Sequence, residues 1–325
     1  MKFLITGGSG FVGKKFSEEL IKKYGSAENE FIFIARKTGL DFLNNYKHAK
    51  IKVVSGDISD YDSVKDIFVG VDYVFHLAAK IDYGDFYTDA YYKINVEGTK
   101  NIFELSLINK VKKVIYLSTS GIHHPTYEEF VHQDTVLKEG HTTRYTHSKY
   151  LAHLVAQEYL KKGLPVISIF PSSIFGENSP LFFTFVKTIK ISPIIILPKH
   201  SSRLSLLYVD DLVGGMVKVF EKGEVGGKYY FSGPDLTLKQ MAQKTAKIIG
   251  KKILIIEVSL GAFKIILSFF DFISRLFKIK IYYNSEFFNF VGGGLLVDHS
   301  STKEKLNFEE TDFDENFSKM VKSFL

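Results

Sequence analysis

The chain opens Met1-Lys-Phe-Leu-Ile-Thr-Gly-Gly-Ser-Gly-Phe-Val-Gly13, and this stretch decides its fold. The apolar run Phe3–Ile5 reads as a buried strand. It ends in Gly7-x-x-Gly10-x-x-Gly13, and good helix formers follow from Lys14 to Leu20. Strand, glycine turn and helix, in that order, build a phosphate site. Gly7 permits the tight turn, and Gly10 lets backbone N–H groups approach a pyrophosphate. Gly13 lets the helix pack close to the sheet, so that its N-terminus aims partial positive charge at the phosphates. Three spaced glycines also occur in ordinary loops. Their place directly after a buried-looking strand is what gives this trio weight.

Outward from this turn the first half alternates strand and helix patterns. Strands are expected at Lys2–Thr6, Phe31–Ala35, Lys52–Ser55, Tyr73–Leu77, Val114–Ser118 and Pro165–Phe170, and helices at Gly13–Lys23, Tyr61–Phe68, Ala90–Leu107 and Tyr145–Lys161. Such alternation predicts an α/β fold, a doubly wound parallel sheet of the Rossmann type, with ligands beyond the carboxyl ends of the strands. After Pro171 the order loosens. Prolines 180, 193 and 198 break apolar segments, Leu204–Val213 is apolar, Lys228–Ser232 reads as a strand and Leu238–Ile249 as a helix. The division expected is a dinucleotide-binding domain over 1–170 and a smaller C-terminal substrate lobe over 171–325, with 204–232 threading back to the first.

Composition narrows the function. The 325 residues are 45% hydrophobic and 24% charged, an ordinary globular balance. No cysteine is present, which excludes disulfides, thiolate metal sites and a cysteine nucleophile and fits a reducing, cytoplasmic setting. Lys2 leads into the strand and glycine loop and not into a signal sequence. The net charge of +6 comes from scattered lysines with no basic run interleaved with aromatics, so no nucleic-acid partner is expected. No apolar run reaches ~18 residues, so no transmembrane helix is expected.

Tyr145-x-x-x-Lys149 opens a helical pattern, and its i, i+4 spacing puts both side chains on one face. A phenol titrates near ~10, but a nearby ammonium, or the positive charge of an oxidised nicotinamide, favours the phenolate. Upstream, a strand ends Tyr116-Leu-Ser-Thr-Ser120. Hydroxyls there can hydrogen-bond a substrate oxygen beside the tyrosine, or serve only as a polar strand end or helix cap. His123, His124, His132, His141 and His147 cluster in sequence around this region. They show no metal-ligand spacing and read as loop histidines near the substrate mouth.

At this point the chain resembles the extended branch of the short-chain dehydrogenase/reductase superfamily, the NAD-dependent epimerase/dehydratase family. The matching stretches run in order: Gly7/Gly10/Gly13, Gly56-Asp-Ile58, His76-Leu-Ala-Ala79, Asn95-Val-Glu-Gly-Thr99, the Ser-Thr-Ser strand end, Tyr145/Lys149, Pro171-Ser-Ser-Ile-Phe-Gly176, Tyr208-Val-Asp-Asp211, and Val297-Asp-His-Ser300 before Lys305–Phe308. The resemblance implies that Tyr145 is the general acid–base, that Lys149 lowers its pKa and holds the nicotinamide ribose, and that Ser120 polarises the substrate. Ser118 would border the cofactor, Asp57 and Ile58 flank the adenine, and Leu77, Ala78 and Ala79 let the cofactor pass the fourth strand. Phe11, Val12, Pro171 and Ser173 would complete its contacts. Asn95 matches an asparagine that serves either structure or a proton relay. One position departs. Many sugar-nucleotide enzymes of this branch carry arginine where this chain has Phe170, and the Pro171–Gly176 pattern is more similar to dihydroflavonol reductases and 3β-hydroxysteroid dehydrogenases.

The second strand ends Ala35-Arg36-Lys37, and the first acid after it is Asp41. An NAD site usually has an acid here for the ribose hydroxyls, whereas a guanidinium suits a 2′-phosphate. NADP is therefore expected, with NAD the alternative; Arg36 could also end the strand in solvent or stack on adenine. Ser259–Lys278 is unusually apolar, with charges only at Lys264, Asp271, Arg275 and Lys278 in a stripe ~60° wide. Such a helix needs a partner: the substrate lobe, a homodimer mate, a lipophilic substrate under a lid, or a membrane surface contacted peripherally. The reaction expected is hydride exchange with an apolar secondary alcohol or ketone. A sugar-nucleotide epimerase or dehydratase is the alternative, and a non-enzymatic dinucleotide sensor a third, which the Tyr145/Lys149 pair disfavours.

Overall fold

Side-chain alternation in the first strand sends Phe3 and Ile5 to one face and Leu4 to the other, and all three are buried. The computed structural model describes residues 1–36, 39–81, 90–141, 143–199, 201–277, 281, 284–285, 288 and 293–325. The strands of the first half are β1 (Lys2–Thr6), β2 (Glu30–Ala35), β3 (Lys50–Ser55), β4 (Tyr73–His76), β5 (Lys113–Leu117), β6 (Phe130–Val131) and β7 (Val166–Pro171). The second half adds β8 (Ser173–Phe175), β9 (Ile194–Pro198), β10 (Leu204–Tyr208), β11 (Lys228–Phe231), β12 (Asp235–Leu236), β13 (Leu254–Val258) and β14 (Leu296–Val297). Seven of them form one parallel sheet in the order β11-β7-β5-β4-β1-β2-β3. The order reverses between β1 and β4, which opens a crevice beyond Thr6 and His76.

The described helices are α1 (Phe11–Tyr24), α2 (Tyr61–Val64), α3 (Ala90–Tyr92), α4 (Gly98–Ile108), α5 (Arg144–Lys161), α6 (Pro180–Ile191), α7 (Val209–Lys222), α8 (Leu238–Ile249), α9 (Leu260–Phe277), α10 (Ser300–Leu306) and α11 (Phe313–Lys322). α1 and α7 pack together over Phe3, Phe31, Phe33 and Phe75, while α4 and α5 cover Leu4, Ile32, Val74 and Val114. The sheet is thus wound on both faces. β11 lies beside β7 at its edge, so the chain returns to the large sheet after the β8–β10 excursion. A second core holds Phe175, Phe182, Val186, Leu197, Met241 and Phe317.

Several expected boundaries shift for local reasons. α1 begins at Phe11, with Gly10 as its N-cap. Tyr61–Phe68 divides into α2 and a 3-10 turn, Lys65–Phe68. The continuous helix expected over Ala90–Leu107 is interrupted by a π-helical turn at Lys93–Glu97. The apolar stretch Leu204–Val213 is a strand that turns into α7 at Val209.

The apolar helix behaves differently from its sequence pattern. Lys278 lies outside the described residues. α9 turns Phe263, Leu267, Asp271 and Ser274 inward. Asp271 accepts from the Ser285 N–H at 3.3 Å. Ile265, Phe269, Phe272 and Leu276 are 73%, 60%, 59% and 61% exposed, so the rest of the second half does not cover the broad apolar face. Among the described residues no helix is long and apolar enough to cross a membrane.

Candidate active site

The glycine turn lies against the end of β4. Gly7 has φ +74, and a Cβ there would come within 2.6 Å of the Ala78 nitrogen and 2.7 Å of the Leu77 carbonyl carbon. A Cβ on Gly13 would fall 2.0 Å from the Gly7 carbonyl oxygen. Only glycine fits either position. Gly10 N–H donates to the Gly7 carbonyl at 3.0 Å and closes the turn. No side chain caps the N-terminus of α1, and no acid sits in its first turn, so its leading N–H groups and partial positive charge face the crevice. Phe11 and Val12 are half-buried and pack toward the second core.

A directed chain of hydrogen bonds fixes the neighbouring backbone. Thr99 Oγ1 donates its one proton to the Asn95 carbonyl at 2.6 Å, so His76 Nε2, 2.9 Å away, must be the donor to Thr99. His76 Nδ1 is then an acceptor and takes the Thr6 hydroxyl at 2.8 Å. Thr6 Oγ1 in turn accepts from Ala78 N–H at 3.2 Å. His76 is held neutral, its pKa pushed down to about 3 by burial and secondarily by the Lys149 charge. The π turn gives Asn95 its reach. Its Oδ1 accepts from Lys80 N–H at 2.7 Å, and its Nδ2 donates to the Lys80 carbonyl at 3.1 Å and Ser148 Oγ at 2.9 Å. The amide therefore ties α4's approach to the end of β4 and to α5. Leu77 N–H completes this edge on the Thr6 carbonyl at 3.2 Å, with Ala79 next along the chain.

Tyr145 and Lys149 lie one turn apart at the start of α5, whose N-cap is Thr143. Lys149 is buried. Its ammonium donates to the Leu117 carbonyl at 2.9 Å and lies 4.8 Å from the Tyr116 ring centre. Burial pulls its pKa down to about 7. Burial likewise pushes the Tyr145 phenol up to about 12, and a hydrogen bond with the Thr119 hydroxyl opposes that rise. Thr119 caps the 3-10 turn Ser120–His123 by accepting from Gly121 N–H at 3.1 Å. Of the three hydroxyls in Ser118–Ser120, the one at Tyr145 is thus Thr119. Ser120, expected there, is fully buried and donates to the Pro171 carbonyl at 2.8 Å. The buried hydroxyls of Ser172 and Ser173 have no protein partner among the described residues, while the Ser118 hydroxyl faces the Tyr116 phenol. Thr119, Tyr116, His76, Thr6 and Thr99 were not singled out from sequence. The signal for Thr119 was its place in the hydroxyl triplet.

On the other side of the glycine turn, Asp57 accepts from Ser59 N–H and Oγ at 2.9 and 2.7 Å. Burial raises its pKa, but the Ser59 bonds and the nearby Arg36 charge outweigh this and leave it below the usual carboxylate range. Ile58 is buried under α4, and its carbonyl accepts from Asn101 at 2.9 Å. Arg36 is exposed at the end of β2, and Lys37 lies outside the described residues.

The histidines near the site are engaged in structure. His123 Nε2 bonds the Tyr230 hydroxyl at 2.8 Å, His141 Nε2 the Ile122 carbonyl at 2.6 Å, and His147 Nδ1 the Tyr92 hydroxyl at 3.0 Å. Phe170 is fully buried, stacked on Tyr230 at 4.6 Å with the His153 ring edge-on at 5.1 Å. It is a packing residue of β7 in this chain.

A doubly wound parallel sheet with a glycine turn at its switch point, and a Tyr-x-x-x-Lys pair beside it, defines an extended short-chain dehydrogenase/reductase. The chain belongs to the NAD dependent epimerase/dehydratase family, whose sequence model matches residues 3–230. It is 27% identical over 277 residues to a 3-beta-hydroxysteroid dehydrogenase of Mycolicibacterium neoaurum, covering 79% of this chain and 73% of the relative. It is 26% identical over 261 residues to an N-acetyl-alpha-D-glucosaminyl-diphospho-ditrans,octacis-undecaprenol 4-epimerase of Escherichia coli O157:H7, covering 77% and 73%. A dTDP-glucose 4,6-dehydratase from Streptomyces venezuelae, solved with NAD bound, superposes with a TM-score of 0.80 at 19% identity over 100% and 97% of the two chains. The protein is an NAD(P)-dependent enzyme of this family. The residues present fit a dinucleotide: two obligatory glycines and an uncapped helix N-terminus at the switch point, with a buried Ser173 hydroxyl that has no partner among the described residues.

Proposed function

We propose that the enzyme is an NADP-dependent oxidoreductase that exchanges hydride with an apolar secondary alcohol or ketone. The observation that carries this reading is the Thr119–Tyr145 hydroxyl pair one helical turn from buried Lys149. The bound dinucleotide supplies or accepts the hydride. Gly7, Gly10, Phe11, Val12 and Gly13 would hold its diphosphate, Asp57 and Ile58 its adenine, and Arg36 a 2′-phosphate. Leu77, Ala78, Ala79 and Asn95 would border its passage across the sheet, and Ser118, Pro171, Ser173 and Lys149 its nicotinamide half. A substrate oxygen that replaces the mutual bond of Thr119 and Tyr145 accepts one hydrogen bond from each, and the Tyr145 proton goes to the oxygen as it gains charge. The phenol's raised pKa keeps that proton in place, and a protonated Lys149 one turn along the helix would ease its loss. Residues 171–325 would form the substrate lobe.

Tyr145→Phe is expected to lower kcat by ~10²–10⁴ while leaving dinucleotide affinity nearly unchanged, since the ring is retained. Thr119→Val should lower kcat by a similar order. Ser120→Ala should mainly lower stability, by about 1 kcal/mol for its lost bond to Pro171. Steady-state kinetics with NADPH and a ketone panel, together with thermal unfolding, separate these outcomes. Full turnover in Tyr145→Phe would overturn the assignment. A sugar-nucleotide epimerase or dehydratase is the second reading, favoured by the named activities of the undecaprenol-linked epimerase and the Streptomyces dehydratase. A dinucleotide that stays bound through turnover, with no net NADPH consumption, selects it.

A further inference from the structure

The small parallel sheet β9–β13 and the helix it leads into leave a broad apolar surface uncovered. β13 runs through Ser259 into α9, and β9 packs against that helix. On the sheet, Ile194 and Ile196 stand in register beside Leu254 and Ile256, and all four are exposed. Their alternating neighbours Ile195 and Leu197 go to the core. On the helix, Ile265, Phe269, Phe272 and Leu276 face outward. Exposed apolar faces of this kind mark an interaction site.

Charge identifies the occupant. Segment 251–280 contains Lys251, Lys252, Lys264, Arg275, Lys278 and Lys280 against only Glu257 and Asp271. Asp271 is buried, and Glu257 is paired with Lys239 at 2.5 Å. Exposed Lys252 and Lys264 leave the rim cationic. A second copy docked here by a two-fold would set that cationic rim against itself, whereas lipid phosphates complement it. Three charges within α9 argue against crossing a bilayer, while one wide apolar face suits lying in its surface plane.

We propose that this surface docks the protein onto an anionic lipid bilayer, with Ile265, Phe269, Phe272 and Leu276 of α9 seated at the acyl-chain boundary. The proposal is independent of which reaction the site performs. The test is co-sedimentation of the intact protein with vesicles of phosphatidylcholine plus phosphatidylglycerol, and with phosphatidylcholine alone. Binding to the anionic vesicles that weakens with added salt is expected. The double variant Phe269→Ser/Phe272→Ser should lower that partitioning about tenfold or more. Both positions are exposed, so its thermal unfolding should match the parent. Lys252→Glu/Lys264→Glu should weaken binding to the anionic vesicles. Folded protein that binds neither vesicle overturns the proposal, as does binding that the serine variant leaves unchanged. A parent dimer that the serine variant splits, without vesicle binding, assigns the surface to a second copy instead.

Discussion

Lys149 is the residue whose titration most directly reports the site. Burial holds its ammonium at about 7, against 10.5 for the free group. The unfolded chain therefore carries a proton on Lys149 between pH 7 and 10.5 that the folded chain lacks, and the stability linked to this group rises with pH across that window. Its contribution is fully present above 10.5 and is lost as pH falls through about 7. Lys149→Met should remove this rise, on the order of a few kcal/mol between pH 7 and 10, in denaturant unfolding followed by circular dichroism. Parallel pH slopes for parent and variant would show that the ammonium is not desolvated. The pairing of Lys149 with Tyr145 was legible because a four-residue spacing fixes a helix face. The choice among Ser118, Thr119 and Ser120 was not. The strand ends at Leu117 and a 3-10 turn begins at Ser120, so simple pleat alternation stops where the choice falls. Tyr116 was hidden for a related reason, since its ring meets Lys149 only through the packing of β5 on α5.

Parallel strands buried on both faces show as continuous apolar runs, which is why β1, β2, β4, β5 and β7 could be read directly. α8 was legible to the residue because its ends are chemically marked, by the Thr237–Gln240 capping box and by Gly250 at φ +74. The π turn at Lys93–Glu97 carries no such mark; it accompanies long-range bonds from Asn95 to Lys80 and Ser148. The end of β2 supports a prediction of its own. Arg36 stands exposed there with Asp57 close enough to feel its charge. Arg36→Ala should weaken NADP far more than NAD, because only NADP presents a 2′-phosphate. A charge-assisted hydrogen bond of about 1.5–3 kcal/mol is enough to invert a modest preference. Fluorescence titration with both dinucleotides decides it, and equal weakening of the two would remove Arg36 from phosphate recognition.

At the scale of the whole molecule, the proposed substrate class makes a demand on the cations of the second half. A diphosphate-linked sugar carries charges that need cations nearby, and Arg203 with Lys199 close in sequence is the main candidate pair for that task. The fold commits Arg203 elsewhere. Its Nε donates to Glu128 at 2.9 Å and its backbone N–H donates to the same carboxylate at 2.8 Å, so the guanidinium already has an anion and staples the segment before β10 to the loop after β5. Both side chains are exposed, so the pair itself contributes little to stability. Glu128 would further repel a diphosphate approaching Arg203. An apolar ligand is bound through buried area, at ~25 cal/mol per Å², and has no need of either cation. Arg203→Ala should therefore leave turnover of apolar ketones within a few-fold of the parent. Calorimetric titration of the NADP-loaded protein against UDP-, GDP- and dTDP-sugars and a panel of lipophilic ketones tests this directly. Tight sugar-nucleotide binding that disappears in Arg203→Ala, with no response to the ketones, would reverse the substrate class and favour the epimerase or dehydratase reading.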